Sequence, residues 1–412
     1  MVYKLETLIK YLIYTFPLFL MTGPFLPDLS LSISVLIFIF LIIKRKEIYL
    51  LNNIYFKIYL LFLFYIILRS LFTLDLLSIK PSLFYFRFGF FSLLIFYFLK
   101  KKIINLKIFS LILFLTLIAL YVDANVQLFT GKNLFGLEIY HPERVSSFFG
   151  DELVMGSVSF RIFTTIIAIF FFIKLKKRNY LSFFVLFLIF SLILYSSERT
   201  SFALIFIFTI VYLVFVPIKL KSKLILTTIF SLLVVTFFYI NDESRNRIIK
   251  KSLDEIKLNI HTNNLLFSTL HASSILTATE MFKDNILFGK GPKMYRKVCD
   301  DKSFSNFKVG DHSCTTHPHN ILAQILAETG IIGLIFFTIF YFKLLKIFLK
   351  NIFVRNKRDQ EFSIIILSAI VILNFFPLLP YGNFFNNWLS MISYLPIPFL
   401  MFIISDSASS NK

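Results

Sequence analysis

Two histidines separated by one proline are the residues of this chain best suited to chemistry. His317 and His319 flank Pro318, and Asn320 follows directly. An imidazole can act as a base or a hydrogen-bond partner near neutral pH, so both side chains are candidates for acid–base chemistry. A bound transition metal is the weaker interpretation, because no obvious carboxylate ligand accompanies the pair. A structural alternative also stays open, in which the pair is a helix cap beside a solvated loop histidine.

The residues that follow the histidines have helical spacing. Asn320 is a favourable N-cap, since its side-chain oxygen can accept hydrogen bonds from the free amides of a first turn. Asn320, Gln324 and Glu328 recur at every fourth position and form one polar stripe. Gly330 and Gly333 should loosen the helix before a long apolar run begins. The pattern predicts a polar helix start at the edge of an apolar span.

Two arginines are candidates for binding an anion. Arg199 stands beside Glu198 in a short polar stretch between two apolar runs, and Arg144 lies in the polar segment 143–152. A guanidinium group suits phosphate, because its planar fork matches the oxyanion geometry. An arginine near a membrane interface can equally snorkel or pair with a neighbouring carboxylate. The sequence leaves both interpretations open.

Composition places these residues in an integral membrane protein. Of the 412 residues, 57% are hydrophobic and only 16% are charged. Repeated apolar runs of nearly 20 residues are typical of membrane helices. The net charge of +20 could suggest a nucleic-acid partner, but the basic residues cluster between the apolar runs. That placement is typical of membrane topology and argues against nucleic acid.

The apolar runs predict an all-α fold with about twelve transmembrane helices. These spans are expected at about 7–23, 29–43, 55–74, 83–99, 107–122, 157–173, 180–196, 201–217, 224–240, 331–349, 363–379 and 388–404. Spans 9 and 10 are separated by one large loop, 241–318. We divide the chain into N-terminal membrane helices (1–123), a catalytic membrane domain (124–404) and a short cytoplasmic tail (405–412).

The distribution of Lys and Arg predicts the orientation. Leaving out the long loop, the side of the termini carries 24 basic residues and the opposite side carries seven. Positive charge in short loops marks the cytoplasmic side, so both termini should be cytoplasmic. The two histidines, Arg199 and Arg144 should then all face outward.

The two cysteines, Cys299 and Cys314, lie in the outer loop just ahead of the histidines. A bacterial periplasm would oxidise them, so we predict a disulfide that closes this part of the loop. Two unrelated free thiols are the alternative.

Four sequence segments together resemble the O-antigen ligase and O-antigen polymerase superfamily, over about 120–400. The matching segments are Glu143–Gly150, Ser197–Ser201, Met281–Tyr295 and the run from Thr316 through Gly333 that contains His-Pro-His-Asn. The large outer loop before span 10 fits the same resemblance.

The resemblance implies a membrane glycosyltransferase of the bacterial inner membrane, with its active site facing the periplasm. Its donor would be a glycan on undecaprenyl diphosphate, and its acceptor the lipid A–core or another lipid-linked glycan. No metal or other cofactor is expected, because the diphosphate-linked donor is already activated. Its partners would therefore be these two substrates and membrane lipids.

The resemblance also assigns roles to residues. His319 matches the family's essential histidine and Arg199 its first essential arginine. The second arginine of the ligases aligns with His271, and Ile286 replaces the proline of a nearby motif. We expect His271, Arg144, His317, Asn320 and Glu328 to contact the diphosphate or another part of the substrate.

Three functions remain open at this point. A ligase would pass the glycan to lipid A–core, whereas a polymerase would join lipid-linked repeat units. A lipid-linked glycan flippase or other transporter is a third possibility, but transporters show repeated halves and polar groups near mid-membrane. In this sequence the notable polar groups gather toward one face, which favours an enzyme.

Overall fold

A computed structural model describes residues 2–254, 269–301, 303–304, 314–354 and 359–410. Regular secondary structure in these ranges is helical, with two isolated β-bridges at Lys132–Glu138 and His141–Arg144. The α-helices are α1 (Val2–Phe19), α2 (Phe25–Lys44), α3 (Ile54–Leu71), α4 (Leu76–Phe84), α5 (Phe86–Lys100), α6 (Leu106–Thr130), α7 (Met155–Val158), α8 (Thr164–Phe172), α9 (Arg178–Ser196), α10 (Arg199–Phe215), α11 (Leu220–Ile240), α12 (Asp242–Arg245), α13 (Thr269–Asp284), α14 (Tyr295–Val298), α15 (Ile321–Ile352), α16 (Asp359–Asn374), α17 (Asn387–Tyr394) and α18 (Pro396–Ser410).

The prediction of an all-helical membrane protein is confirmed, while the count of twelve crossings stays a prediction. Within the described ranges, nine helical segments are long and apolar enough to cross a membrane. Helices also lie at the other three predicted spans, but α10 and α16 have only 17 and 16 residues. Helix α1 carries Lys4, Glu6 and Lys10, which lowers its hydropathy. The tail continues helical as far as Ser410.

The predicted long loop contains helices of its own. Helices α12, α13 and α14 lie within 241–318, and α13 packs against α15. The connection between spans 9 and 10 therefore has secondary structure of its own, and its periplasmic location stays a prediction. Residues 255–268, 302 and 305–313 of the loop lie outside the described residues.

Helix α15 is broken where the glycines predicted a loosening. Gly330 has φ 62° and ψ −164°, so the helix divides into a half-helix, 321–329, and a longer part, 331–352. The structure thus begins this helix ten residues before the predicted span 10, because Asn320 caps it. Asn320 Oδ1 accepts hydrogen bonds from the amides of Leu322 and Ala323, both at 3.0 Å.

The break is closed by the backbone of a neighbouring loop, 286–291. The amides of Lys290 and Gly291 donate to the carbonyls of Ala327 and Glu328, each at 2.8 Å, and the amide of Ile331 donates to Ile286 at 2.9 Å. Backbone groups freed at a helix break must find partners where water is scarce. Loop 286–291 supplies these hydrogen-bond partners, so the break is stabilised by tertiary contacts.

The two backbones at the break touch through glycine. A Cβ atom at Gly289 would lie 2.5 Å from the carbonyl carbon of Glu328, and one at Gly330 would lie 2.3 Å from the oxygen of Leu287. Both glycines have positive φ. From the other side, the Arg69 guanidinium on α3 donates to the carbonyl of Gly289 at 2.6 Å. These contacts fix the orientation of the half-helix relative to the longer part of α15.

Candidate active site

The disulfide and a small core anchor the segment that leads to the histidines. Cys299 and Cys314 are joined, with their Cα atoms 5.2 Å apart. Cys299 is fully buried, in a cluster that includes Tyr295, Met281 and Ala327. Ala327 belongs to the half-helix of α15. The disulfide therefore ties the start of the histidine segment to Cys299, and Cys299 packs in the same cluster as the half-helix.

The backbone at His319 is fixed in an unusual conformation. His319 has φ 55°, in the left-handed region that few residues other than glycine adopt. Its carbonyl accepts a hydrogen bond from the amide of Tyr381 at 2.9 Å. Asn320 also donates through Nδ2 to the carbonyl of Pro377 at 3.0 Å. These contacts set the direction in which the His319 ring projects.

Three imidazole rings meet in one cluster. The rings of His317 and His319 are tilted, with centroids 4.1 Å apart. His271, on α13, stacks on His319 with centroids 4.9 Å apart and the ring planes 29° from parallel. Two of the predicted residues thus surround the predicted catalytic histidine, although His271 lies far from it in sequence.

Burial keeps the cluster neutral. It lowers the pKa of His319 to about 4 and that of His317 to about 3, and a charge on a neighbouring histidine would lower both further. Burial, followed by the charge of Arg199, also lowers the pKa of His271. Neutral imidazoles can accept a proton at physiological pH. His317 Nε2 is buried and has no hydrogen-bond partner among the described residues.

Arg199 lies close enough to act on this cluster. It is the first residue of α10, at the tip of the hairpin formed by α9 and α10. Its positive charge is one of the two causes that lower the pKa of His271. The structure therefore brings together a guanidinium group and three imidazoles, supplied by the hairpin, α13 and the segment before α15.

Glu198 anchors the hairpin tip. The Glu198 carboxylate accepts hydrogen bonds from the amides of Gly156 and Ser157, at 2.8 and 3.0 Å, and from the Ser201 hydroxyl at 2.9 Å. The two amides belong to the first turn of α7. Glu198 thus interacts with the first turn of α7 as well as with Arg144.

Arg144 is engaged with the protein. Its Nε donates to the carbonyl of Ser196 at 3.0 Å, and its Nη2 donates to that of Leu153 at 2.7 Å. Nη2 also lies 3.8 Å from the Glu198 carboxylate. These bonds direct its guanidinium toward the hairpin that carries Glu198 and Arg199. The expected contact of Arg144 with substrate stays a prediction.

The polar stripe of α15 faces the protein interior. Asn320, Gln324 and Glu328 are all buried. Gln324 Nε2 donates to Glu328 Oε2 and to Asn383 Oδ1, both at 3.0 Å, while Glu328 Oε1 accepts from the amide of Tyr295 at 3.1 Å. Glu328 thereby holds the half-helix against α14, and Asn320 caps it. The expected contacts of Asn320 and Glu328 with substrate stay predictions.

Sequence reasoning missed two cations near the site. Arg296 lies close enough for its charge to lower the pKa of His317. Lys293 is close enough to Arg296 and Glu328 to interact with their charges, and burial lowers its pKa. Both cations follow Gly291-Pro292 in the segment that carries part of the family resemblance. Their basic character was visible, but the approach of Arg296 to His317 depends on the fold around the break in α15.

A third missed cation is Arg161. A lone charge in an apolar span is a signal of function, and Arg161 is only 4% exposed. It contacts the Ser157 hydroxyl, and its guanidinium carbon lies 5.7 Å from the centroid of the Tyr381 ring. Tyr381 is the residue whose amide holds His319. Arg161 therefore links the hairpin contact at Ser157 to the histidine segment.

In the described part of the chain, no group of three or more His, Cys, Asp or Glu side chains is arranged to hold a metal ion. The positive charge at the site comes from arginine and lysine.

These features define a multi-pass helical membrane protein with a cationic, histidine-lined site at the end of its helices. The family model described as O-antigen ligase matches residues 183–338. The matched region contains Arg199, His271 and the whole His-Pro-His-Asn segment. Over these residues the chain is similar to the O-antigen ligase family, which supports the resemblance to the O-antigen ligase and polymerase superfamily. No curated protein matches the chain.

Proposed function

We propose that the chain transfers a glycan from undecaprenyl diphosphate to a lipid A–core acceptor. The reaction would take place at the periplasmic face of a bacterial inner membrane. The observation that carries this proposal is the stacking of His271 on His319, with Arg199 close enough for its charge to act on His271. A cation for a diphosphate leaving group and a neutral base for a hydroxyl are the two groups that such a transfer needs.

The acceptor hydroxyl oxygen attacks the anomeric carbon of the donor, and the bond from that carbon to the diphosphate oxygen breaks. His319 accepts the hydroxyl proton, because its imidazole is neutral at physiological pH. Arg199 stabilises the negative charge that develops on the departing diphosphate. The anomeric configuration is inverted, since the displacement occurs once.

The surrounding groups complete the anion site. Arg296 lies near His317, and Lys293 lies near Arg296. These two cations can neutralise the second phosphate, and neutral His271 can donate a hydrogen bond to it. This set supplies the charge that a metal ion provides in other phosphate sites, so we propose a metal-independent reaction. The protein around these groups is held in place by hydrogen bonds of Glu328, Asn320 and Arg144.

The test is a lipopolysaccharide gel of a deletion strain complemented with wild type, His319→Ala or His141→Ala. His141 lies in the segment between α6 and α7, and its ring accepts a hydrogen bond from the amide of Glu143. It is a histidine outside the cluster of His271, His317 and His319, so it is a matched control. Wild type and His141→Ala should restore a full O-antigen ladder. His319→Ala should restore none, with lipid-linked polymer accumulating. A full ladder from His319→Ala would refute the catalytic assignment.

A polymerase is the second candidate, and a departure from the ligase pattern favours it. His271 stands at the position where the ligases place their second arginine, and Ile286 replaces the nearby proline. On the same gel, a deletion strain that keeps a single repeat unit on the core would identify a polymerase.

A further inference from the structure

A cavity of about 380 Å³ opens between α3, α5, α15 and α18, away from the histidine cluster. Its wall is predominantly apolar and includes Phe56, Leu93, Phe337 and Leu400. Ligand-binding pockets in proteins fall in the same range of volume. A cavity of this size among membrane helices is large enough for part of a lipid.

The charged residues of the cavity lie at one end. Lys100 closes α5, and Lys343 lies toward the final turns of α15, so both point to the side where the basic residues cluster. The Lys343 ammonium lies 5.1 Å from the centroid of the Tyr55 ring, at the start of α3. Asn53 and Ser405 complete this polar end.

The opposite end is apolar and lies beneath the candidate active site. It is formed by Ile325, on the half-helix of α15, and by Phe384. The amide of Phe384 donates to Gln324 Oε1 at 2.8 Å, inside the network that holds the half-helix. An occupant of the cavity would therefore touch the half-helix that directly follows the His319 segment.

The length of the cavity matches one leaflet. Along α5 the lining extends from Gly89 to Lys100, which at the helical rise is on the order of 16 Å. The hydrocarbon core of a bilayer is about 30 Å thick, so this is roughly one leaflet. Gly89 permits the narrow end, because a Cβ there would lie 2.2 Å from the Tyr59 ring.

We propose that this cavity binds one acyl chain of an anionic phospholipid from the cytoplasmic leaflet, with the lipid phosphate on Lys100 and Lys343. Basic residues at the cytoplasmic ends of membrane helices favour anionic headgroups. The donor lipid fits less well, because its diphosphate belongs at Arg199 and the cavity lysines lie at the other end. The bound chain would support the half-helix from below.

The experiment is native mass spectrometry of the purified full chain, equilibrated with phosphatidylglycerol or phosphatidylcholine. We expect one phosphatidylglycerol to be retained in preference to phosphatidylcholine. Lys100→Gln/Lys343→Gln should weaken phosphatidylglycerol binding by about 30-fold, since two lysine contacts are lost. Lys57→Gln/Lys350→Gln removes the same charge from α3 and α15 outside the cavity, and should bind like wild type.

A second variant tests the binding of the acyl chain rather than that of the headgroup. Ile58→Trp narrows the cavity wall on α3 and should reduce the binding of both phospholipids. The proposal would be overturned if Lys100→Gln/Lys343→Gln bound phosphatidylglycerol like wild type, or if the control pair lost as much. Displacement of the phospholipid by undecaprenyl diphosphate would also overturn it, by assigning the cavity to the donor. This assay needs no glycan transfer, so it can fail or succeed independently of the proposed function.

Discussion

The rings of His271 and His319 stack with centroids 4.9 Å apart, although one lies on α13 and the other precedes α15. This contact joins the two parts of the candidate site, because Arg199 acts on His271 and His319 is the proposed acceptor base. His271 thus interacts with both the proposed leaving-group cation and the proposed base. Its role can be tested without removing either of them.

His271→Ala should lower kcat/KM for glycan transfer by roughly ten- to hundred-fold, the effect of losing a hydrogen bond to a charged group. It should also raise the pKa of His319, because burial by this ring and its charge both lower that pKa. The measurement is the pH dependence of transfer in membrane vesicles, where the acid limb should move toward neutral pH. His141→Ala serves as the control. An unchanged rate and profile would exclude His271 from the site.

The wild-type enzyme should show no titration near pH 6.5. His319 must be neutral to accept a proton, and its pKa is lowered to about 4. The value of kcat/KM should therefore stay flat from about pH 8 to pH 5 and fall only as pH approaches 4. A fall centred at pH 6.5, in the free enzyme's profile, would show that His319 is solvated.

Stability should follow a related pH dependence through His317. Its pKa is lowered to about 3 in the folded protein, against 6.5 for an ordinary histidine. Below pH 6.5 the unfolded state binds more protons, so stability falls as pH falls. In thermal unfolding in detergent, lowering the pH from 6.5 to 5 should lower the Tm of the wild type relative to that of His317→Gln. An equal change of Tm in both proteins would contradict the assignment.

Gly330→Ala should damage the site through the backbone. Gly330 has φ 62° and ψ −164°, a conformation almost confined to glycine that costs another residue on the order of 1–3 kcal/mol. The Cβ of an alanine would also lie 2.3 Å from the Leu287 oxygen. Gly136 is the matched control, because it has φ +82° and no atom within 4 Å of its Cβ position. Gly330→Ala should lower Tm and transfer more than Gly136→Ala does. Equal effects would mean that the contact with loop 286–291 is unimportant.

Sequence patterns predicted individual helices, caps and breaks better than the tertiary contacts between them. The Asn320 cap and the loosening at Gly330 follow from local backbone chemistry, and both are present. The burial of Glu328 could not be predicted, because a stripe spaced for one helix face does not say whether that face meets water or protein. The approach of His271 to His319 likewise depends on how α13 packs, which no local pattern contains.

The contact of Arg161 with Tyr381 also depends on tertiary packing and could not be predicted from local patterns. Its effect on glycan transfer can be separated from its effect on stability. Arg161→Gln removes the cation over the Tyr381 ring, and Tyr381 holds the carbonyl of His319. Arg178 is a matched control, since its guanidinium carbon also lies 5.7 Å from a ring centroid, that of Phe171, and it pairs with Asp359. Both substitutions should lower Tm. At a temperature where both variants are folded, only Arg161→Gln should reduce kcat for transfer, because only Arg161 touches the frame around His319. A loss of kcat that Arg178→Gln shares would reduce Arg161 to a stabilising residue.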